Sequence, residues 1–205
     1  SVLAKAVRDA GAAGRYVLTF DGTRESRQTA VNSLRFGSGR FSTTYRLEAD
    51  DSQQRMRTSV AAQWQPGWRW MQSLEAQLYH QESDQYRLPD RATPFESLRW
   101  RRFDYQARAL GLGLLGQSRH EGRLGSHWQV FGIDAARQDY RGLRDGLETN
   151  LATGATSHVI LGEPLPVRDF PNSSNTSVAL FWQDEIAIGK RFAVIPGLRA
   201  ESNRL

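Results

Sequence analysis

The four histidines of the chain are the residues best suited to hold a metal ion or move a proton: His80, His120, His127 and His158. Their spacing matches no metal-ligand motif, and no HExxH sequence is present. The chain also has no cysteine, which excludes disulfides, thiolate metal sites and a cysteine nucleophile. We therefore expect no metal site.

One histidine lies where it could meet a ligand. His158 falls within the polar segment 141–174, and a connection of this length is usually functional or disordered. It is the single ligand-binding candidate that the sequence offers, and a solvated histidine without a function is the alternative interpretation.

Two neighbouring carboxylates, Asp184 and Glu185, lie in the stretch WQDEIAIG. Adjacent residues of a strand point to opposite faces, so this pair cannot act together as acid and base. No GxSxG elbow and no phosphate-binding loop is present either. The sequence predicts no catalytic residues and no enzymatic activity.

The segment 111–116, GLGLLG, has the glycine spacing of a dinucleotide-binding loop. That loop requires a helix after it, but the following residues, QSRHEGRLGSH, carry no apolar helical stripe. We interpret the segment as a glycine-rich strand against which neighbouring groups pack closely.

The segment 99–108, RWRRFDYQAR, mixes arginine with aromatic residues, as surfaces for single-stranded nucleic acid do. On a strand, one face would carry basic, acidic and neutral polar side chains in turn: Arg102, Asp104, Gln106 and Arg108. This pattern favours the polar lumen of a barrel. The net charge is +5, but acidic residues are interspersed among the basic ones. We therefore expect no nucleic acid as a partner.

The elements that must position these residues are strands, because the apolar pattern has period 2 along most of the chain. In residues 70–80, for example, Trp70, Leu74, Ala76 and Leu78 share one face, and Ser73, Glu75 and Gln77 share the other. The pattern predicts about ten strands, at 1–9, 14–22, 28–36, 41–49, 54–64, 68–82, 97–118, 126–139, 175–187 and 191–203.

Breaks of two sizes alternate between these strands. The short ones lie near 10–13, 37–40, 65–67, 121–125 and 188–191, and the others lie at 23–27, 50–53, 83–96 and 141–174. A transmembrane barrel has tight turns at one rim and long loops at the other. We therefore predict an all-β fold: an antiparallel up-and-down transmembrane β-barrel, of which this chain is a segment of about ten strands.

Aromatic residues concentrate near the short breaks, where an interfacial girdle of a membrane barrel would lie. These residues are Phe36, Phe41, Trp64, Trp68, Trp70, Trp128 and Phe192.

Three stretches near the end of the sequence are the most informative: VRDFPNSSNT, ALFWQDEI and PGLRAE. In this order they resemble the barrel of TonB-dependent outer-membrane receptors, most closely the haem/haemoglobin receptor branch. The stretches SVLAKAVRDAGAAGRYVLTFDG, WRWMQSLEAQLYHQES and HWQVFGIDAARQD are similar to the same family more weakly.

The resemblance implies a receptor in the bacterial outer membrane that transports haem or another iron complex and has no intrinsic cofactor. It implies as partners the TonB complex, haem or a haem protein or a siderophore at the external loops, and outer-membrane lipid. Barrels of this family have about twenty-two strands and an N-terminal plug. We expect residues 1–205 to be part of one barrel domain, with the plug and the remaining strands outside this chain. The haem-binding histidines of the family lie in the plug and in a later external loop, so none is assigned to this sequence.

Three alternatives remain open at this stage. A siderophore receptor or a passive porin would share the membrane barrel. A soluble all-β ligand-binding barrel would turn its apolar face inward. A nucleic-acid-binding β protein would bind less tightly as salt rises.

Overall fold

The computed structural model describes residues 1–39, 42–68, 70–88, 93–94, 97–123, 125–189 and 191–205. Its strands are β1 (Val2–Asp9), β2 (Arg15–Ala30), β3 (Thr44–Arg46), β4 (Glu48–Trp64), β5 (Ser73–Leu88), β6 (Thr93–Pro94), β7 (Ser97–Gly122), β8 (Gly125–Asn150), β9 (Thr156–Ser157), β10 (Val159–Ile160), β11 (Glu163–Pro164), β12 (Ser173–Ile188), β13 (Phe192–Val194) and β14 (Gly197–Arg204). Two 3₁₀ turns occur at Gly11–Ala13 and Asn32–Leu34. Among these described residues, no helix has the length and apolar character needed to cross a membrane.

The strands form one antiparallel sheet in the order β1-β2-β4-β5-β7-β8-β12, with β13 and then β14 along the far side of β12. The short strand β9 pairs with the end of β8, and β3-β6 and β10-β11 are separate two-stranded sheets. Consecutive long strands are neighbours throughout, which is an up-and-down meander. The predicted fold class, an antiparallel β-barrel segment, is confirmed.

In the described residues the main sheet contains ten strands, in agreement with the predicted number of about ten, and these occupy eight positions across its width. The predicted strand bounds differ from those of the structure. The predicted break at 23–27 lies inside β2, and the break at 50–53 lies inside β4. These polar stretches pair with each other, for example Glu25 with Gln53 and Arg27 with Asp51. Polar residues do not end a strand whose two faces both meet water, so the backbone ladder continues through them.

The connections separate into two rims. The short-turn rim comprises the connections 10–14, 65–72, 123–124 and 189–191, and the long-loop rim comprises 31–47, 89–96 and 151–172. The alternation of short and long connections is thus confirmed. The break at 37–40 is an exception, because it belongs to the long connection 31–47, although its Arg40 lies outside the described residues.

The two long breaks are shorter than predicted. Residues 83–88 continue β5, and residues 141–150 continue β8. Residues 89–92, 95 and 96 of the first break lie outside the described residues. The strands β7 and β8 each have 26 residues, which at ~3.3 Å per residue is roughly 85 Å. A bilayer core is only about 30 Å thick, so these strands extend well beyond it.

An apolar belt crosses the whole sheet on one face, which we call the outer face. Directly paired neighbours form one row of the belt: Leu18, Val60, Leu78, Leu112, Ala135 and Val178. A second row contains Leu114, Ile133, Leu180 and Ala200. These side chains remain exposed, for example Leu78 at 52% and Leu180 at 53%. Such a continuous exposed aliphatic surface is what lipid covers in an outer-membrane barrel.

The opposite face, which we call the inner face, is polar at the same height. One of its rows contains Thr19, Ser59, Tyr79, Gly111, Ala136 and Ser177. On this face Arg199 lies 4.0 Å from Asp134.

The face predicted to line the lumen at residues 102–108 is corrected by the register of β7. Arg108 continues without a bulge into Leu110 and Leu112, so the charged face is the outer face above the apolar belt. Phe103 and Tyr105 therefore lie on the inner face. Sequence alternation separates the two faces of a strand but does not say which one meets the lumen.

The aromatic girdle is confirmed for residues near the short-turn rim. The rings of Trp68 and Trp70 stack with centroids 5.0 Å apart, and Trp64 meets Tyr16 edge to face at 6.3 Å. Phe192 follows another short turn and is 74% exposed. The prediction is wrong for Phe36, which lies in the long connection 31–47, and Phe41 lies outside the described residues.

The glycine-rich segment is a strand with close neighbours, as predicted. The ring of Tyr79 lies over Gly111, and the ring of Phe131 lies over Gly116, where a β-carbon would overlap each ring. Arg57 in turn lies 4.2 Å from the centroid of the Tyr79 ring. The glycines thus let large side chains of adjacent strands lie flat on the sheet.

We predict that Gly132→Ala lowers the free energy of unfolding by about 1–3 kcal/mol, the usual cost of overpacking. A β-carbon at Gly132 would overlap the carbonyl oxygen of Leu114 and lie 2.5 Å from Cζ of Phe181. Denaturant unfolding in detergent micelles measures the change. Gly113→Ala is the matched control, because its nearest atom would be 3.4 Å away. Equal stability of the two variants would contradict this account of the packing.

Candidate functional site

The connection 151–172 folds back over the inner face of β8. The backbone N–H of Arg144 donates to the carbonyl of Val167 at 2.8 Å, and the N–H of Val167 donates to the carbonyl of Arg144 at 2.8 Å. Asn150 begins the connection with a side-chain turn, in which its Oδ1 accepts from Ala152 at 2.9 Å and Thr153 at 3.0 Å. The connection is therefore attached to the wall at defined points.

A small apolar core holds the middle of this connection. Ile160 and Leu165 are 3% and 7% exposed, and both pack on Gly146 of β8. A β-carbon at Gly146 would lie 2.8 Å from the Cδ1 atom of each. Because Gly146 has no side chain, the connection can lie directly on the strand.

Arg144 joins the connection to the wall electrostatically. Its guanidinium pairs closely with Glu163 and lies 3.2 Å from Asp169. It also faces the ring of Phe103, with 5.7 Å between Cζ and the ring centroid. Two carboxylates from different parts of the connection thus converge on one cation, and charge-assisted contacts of this kind are among the stronger hydrogen bonds in proteins.

Next to Arg144 lies a pocket of about 410 Å³ on the inner face at the long-loop rim. Its lining is predominantly aromatic and apolar and comprises Gln85, Phe103, Asp104, Tyr105, Gly142, Leu143, Asp169 and Phe170. The volume falls in the range of small-molecule sites, about 300–1,000 Å³. An apolar pocket with a few polar groups is the usual form of a binding site.

Aromatic rings form the walls of this pocket. The centroid of Tyr105 lies 6.1 Å from that of Phe170, with the planes 63° apart, and 6.3 Å from that of Tyr140. Phe170 comes from the connection 151–172 and lies over Gly142 of β8. The pocket therefore exists only while the connection is folded on the wall.

The hydroxyl of Tyr105 remains protonated at neutral pH. Partial burial, and then the neighbouring Tyr140, raise the pKa of Tyr105 above its ordinary value. A neutral phenol can donate a hydrogen bond to a ligand oxygen.

His158 is not part of the lining of the pocket. Its Nδ1 lies 2.9 Å from the carbonyl oxygen of Gly146 and 3.9 Å from the carboxylate of Asp145. The side chain is 60% exposed. Its ligand-binding role stays a prediction, and the contact with Gly146 gives it a place in holding the connection.

The other residues considered for chemistry are separated from the pocket. His80 lies in the middle of β5, 3.9 Å from Glu82. Asp184 and Glu185 point to opposite faces of β12, as predicted. Within the described ranges, no group of three or more histidine or carboxylate side chains is arranged to hold a metal ion.

The sequence did not reveal the pocket because its lining comes from segments that are distant in sequence. Phe103 and Tyr105 stood out only as the apolar side of an alternating strand, and Phe170 is distant in sequence. A signal was nevertheless present, since Gly142 and Gly146 interrupt β8 at an interval of four, which keeps both on the inner face where the connection lies.

We predict that Arg144→Gln speeds trypsin cleavage after Arg168 by about fivefold or more. The substitution removes charge-assisted contacts worth roughly 1–3 kcal/mol, which raises the population of the open connection. Limited proteolysis in detergent micelles gives the rate. Arg102→Gln is the control, because it removes an equal charge that pairs with Asp104 on the outer face. An unchanged rate in the Arg144 variant would show that other contacts hold the connection.

Comparison with known proteins agrees with this architecture. The family model described as TonB dependent receptor-like, beta-barrel, matches residues 5–205. A comparison with curated proteins gives no match. The family assignment favours a membrane barrel over the soluble all-β module considered from the sequence. An antiparallel meander, an exposed apolar belt and a match over nearly all of its length together show that the chain belongs to the TonB-dependent receptor-like β-barrel family.

Proposed function

We propose that this chain forms part of the barrel wall of an outer-membrane receptor that takes up haem or another iron complex, and that the pocket at the long-loop rim contacts this ligand. The aromatic lining of the pocket carries the proposal. Proteins of this family are transporters, and we propose no enzymatic activity for this chain.

The two rims define the orientation in the membrane. Barrels of the bacterial outer membrane have short turns on the periplasmic side and long loops outside the cell. The short-turn rim with its tryptophans therefore lies at the periplasmic interface, and the pocket opens towards the exterior. Lipid covers the apolar belt.

The shape and chemistry of the pocket favour a flat conjugated ligand. The rings of Phe103, Tyr105 and Phe170 offer faces and edges for stacking. The nearby cation Arg144 is already paired with Glu163 and Asp169, so it does not make the pocket strongly attractive to a compact anion. A haem macrocycle meets these conditions, and tyrosine is a known axial ligand of haem iron.

Uptake in this proposal needs energy from the TonB complex, transmitted through a plug domain. This step rests on the family and not on any contact of the described residues. Nucleic acid is not proposed as a partner, because arginines on the outer face pair with carboxylates, as Arg108 does with Glu82 at 3.2 Å.

A ferric siderophore is the second candidate ligand. A neighbouring cavity of about 230 Å³ is more polar and includes Arg141, Arg168 and Asn172. With two arginines against one carboxylate residue, Asp104, this cavity suits an anionic oxygen-rich complex better than it suits a porphyrin.

We predict that Phe103→Ala and Phe170→Ala each weaken haem binding by about tenfold, or ~1.4 kcal/mol. Each substitution removes one stacking wall of the pocket. Absorbance titration of the protein with haem in detergent micelles measures the dissociation constant. Phe192→Ala is the control, because Phe192 is an exposed aromatic residue at the opposite rim. If all three variants bind haem as the unmodified protein does, the pocket is not the haem site, and a ferric siderophore is titrated next.

The hydroxyl of Tyr105 can be tested separately from its ring. We predict that Tyr105→Phe retains most of the haem affinity if stacking dominates, whereas Tyr105→Ala loses about tenfold. A shift of the haem absorbance maximum in Tyr105→Phe would instead identify the hydroxyl as an iron ligand. Equal affinity of both variants and the unmodified protein would remove Tyr105 from the site.

A further inference from the structure

Two histidines meet on the outer face at the short-turn rim. His120 of β7 and His127 of β8 are directly paired across the hairpin, and their rings are nearly parallel, with planes 5° apart and centroids 4.9 Å apart. The sequence placed them on either side of a turn without bringing them together. We propose that this pair binds one divalent transition-metal ion, such as Zn²⁺ or Cu²⁺.

A buried carboxylate orients one of the two rings. Nδ1 of His127 lies 2.8 Å from Oδ2 of Asp184, whose side chain is 5% exposed. An ionised carboxylate only accepts hydrogen bonds, so Nδ1 carries the proton and Nε2 presents a lone pair. A histidine held in this way by a carboxylate is the usual arrangement behind a metal-ligating imidazole.

Asp184 is itself held in place. Nε2 of Gln129 donates to the same carboxylate oxygen at 3.2 Å, and the backbone N–H of Asp184 donates to the carbonyl of Pro196 at 3.0 Å. The other oxygen, Oδ1, is buried and has no hydrogen-bond partner among the described residues. The carboxylate thus places a negative charge behind His127, which favours a cation at the far edge of the ring.

The residue at that edge of the ring is a glycine. Gly122 lies beside Nε2 of His127, and a β-carbon there would come within 2.7 Å of this nitrogen. The glycine therefore leaves Nε2 unobstructed on this side. Because His120 is exposed, its ring can turn to bring its nitrogen to the same ion, as Zn–N bonds of about 2.0–2.1 Å require.

The ligand set selects the class of metal. Two imidazoles suit Zn²⁺, Cu²⁺ or Ni²⁺ and suit Mg²⁺ or Ca²⁺ poorly. In the part of the chain that the structure describes, no third side chain completes the site, so water fills the remaining positions. The site is remote from the pocket at the long-loop rim and does not depend on the proposed uptake of haem.

Copper titration of the metal-free protein in detergent micelles tests the proposal. We expect one equivalent of Cu²⁺ to bind with nitrogen hyperfine coupling in the electron paramagnetic resonance spectrum. His120→Ala is expected to weaken binding at least about tenfold, and Asp184→Asn about 10- to 100-fold through loss of the orienting carboxylate. Zinc titration by calorimetry does not rely on the spectrum, and it should likewise show weaker metal binding in these two variants than in the unmodified protein.

His80→Ala is the matched control, because His80 is an exposed histidine on the outer face with a carboxylate 3.9 Å away. It should leave copper affinity unchanged. Affinity equal in the His120 variant and the unmodified protein, or an equal loss in the His80 variant, would overturn the proposal. Unchanged thermal unfolding of His120→Ala without metal shows that its lost affinity is not a folding defect, and reduced thermal stability with retained affinity would reveal a purely structural pair.

Discussion

A backbone N–H or C=O group left unpaired in lipid costs several kcal/mol, and this constraint governs the whole sheet. The hairpin of β7 and β8 meets it with continuous register from Ser97 opposite Asn150 to Gly122 opposite Gly125. Without a bulge along its length, each residue keeps its face. Side-chain alternation at one height therefore determines the orientation of every residue above and below it, including Tyr105 near one rim and His127 near the other.

The same constraint divides the demands on the two faces. The outer face must be aliphatic only across the belt, where Leu78 and Leu112 meet lipid. Above the belt it returns to charged residues such as Arg108, paired with Glu82. The inner face never meets lipid, so it can accept Gly142 and Gly146, whose missing side chains admit the connection 151–172. The pocket beside Gly142 arises there because the connection can lie directly on the strand at these positions.

This division explains how much the sequence could predict. Within the belt, one face is apolar and the other polar, so the alternation around Leu74 and Leu78 and the close packing at Gly111 were predictable. Above the belt both faces are polar, and polarity no longer distinguishes a turn from a strand. The stretches 23–27 and 50–53 were therefore predicted to be breaks although they pair with each other.

The residues of the pocket were harder to predict than the strands, because they come from segments that are distant in sequence. Phe170 and Tyr105 meet only once the connection folds back, which requires the small core of Ile160 on Gly146 and the ion pairs of Arg144. A short polar motif in the sequence does not indicate such a contact.

The β7–β8 hairpin carries both inferred sites because of its length. Strands of 26 residues reach beyond a bilayer core at the long-loop rim, which gives Phe103 and Gly142 a place to hold a loop outside the membrane. At the other end the hairpin closes through Gly122 and Gly125, and this tight turn forces His120 and His127 into direct register. A ligand that opened the connection 151–172 would leave the pairing of β7 with β8 intact. The two backbone hydrogen bonds between Arg144 and Val167 would be lost, but they are not part of that pairing. We therefore expect the loop to move as a flap on a rigid wall, with no coupling to the histidine pair at the opposite rim.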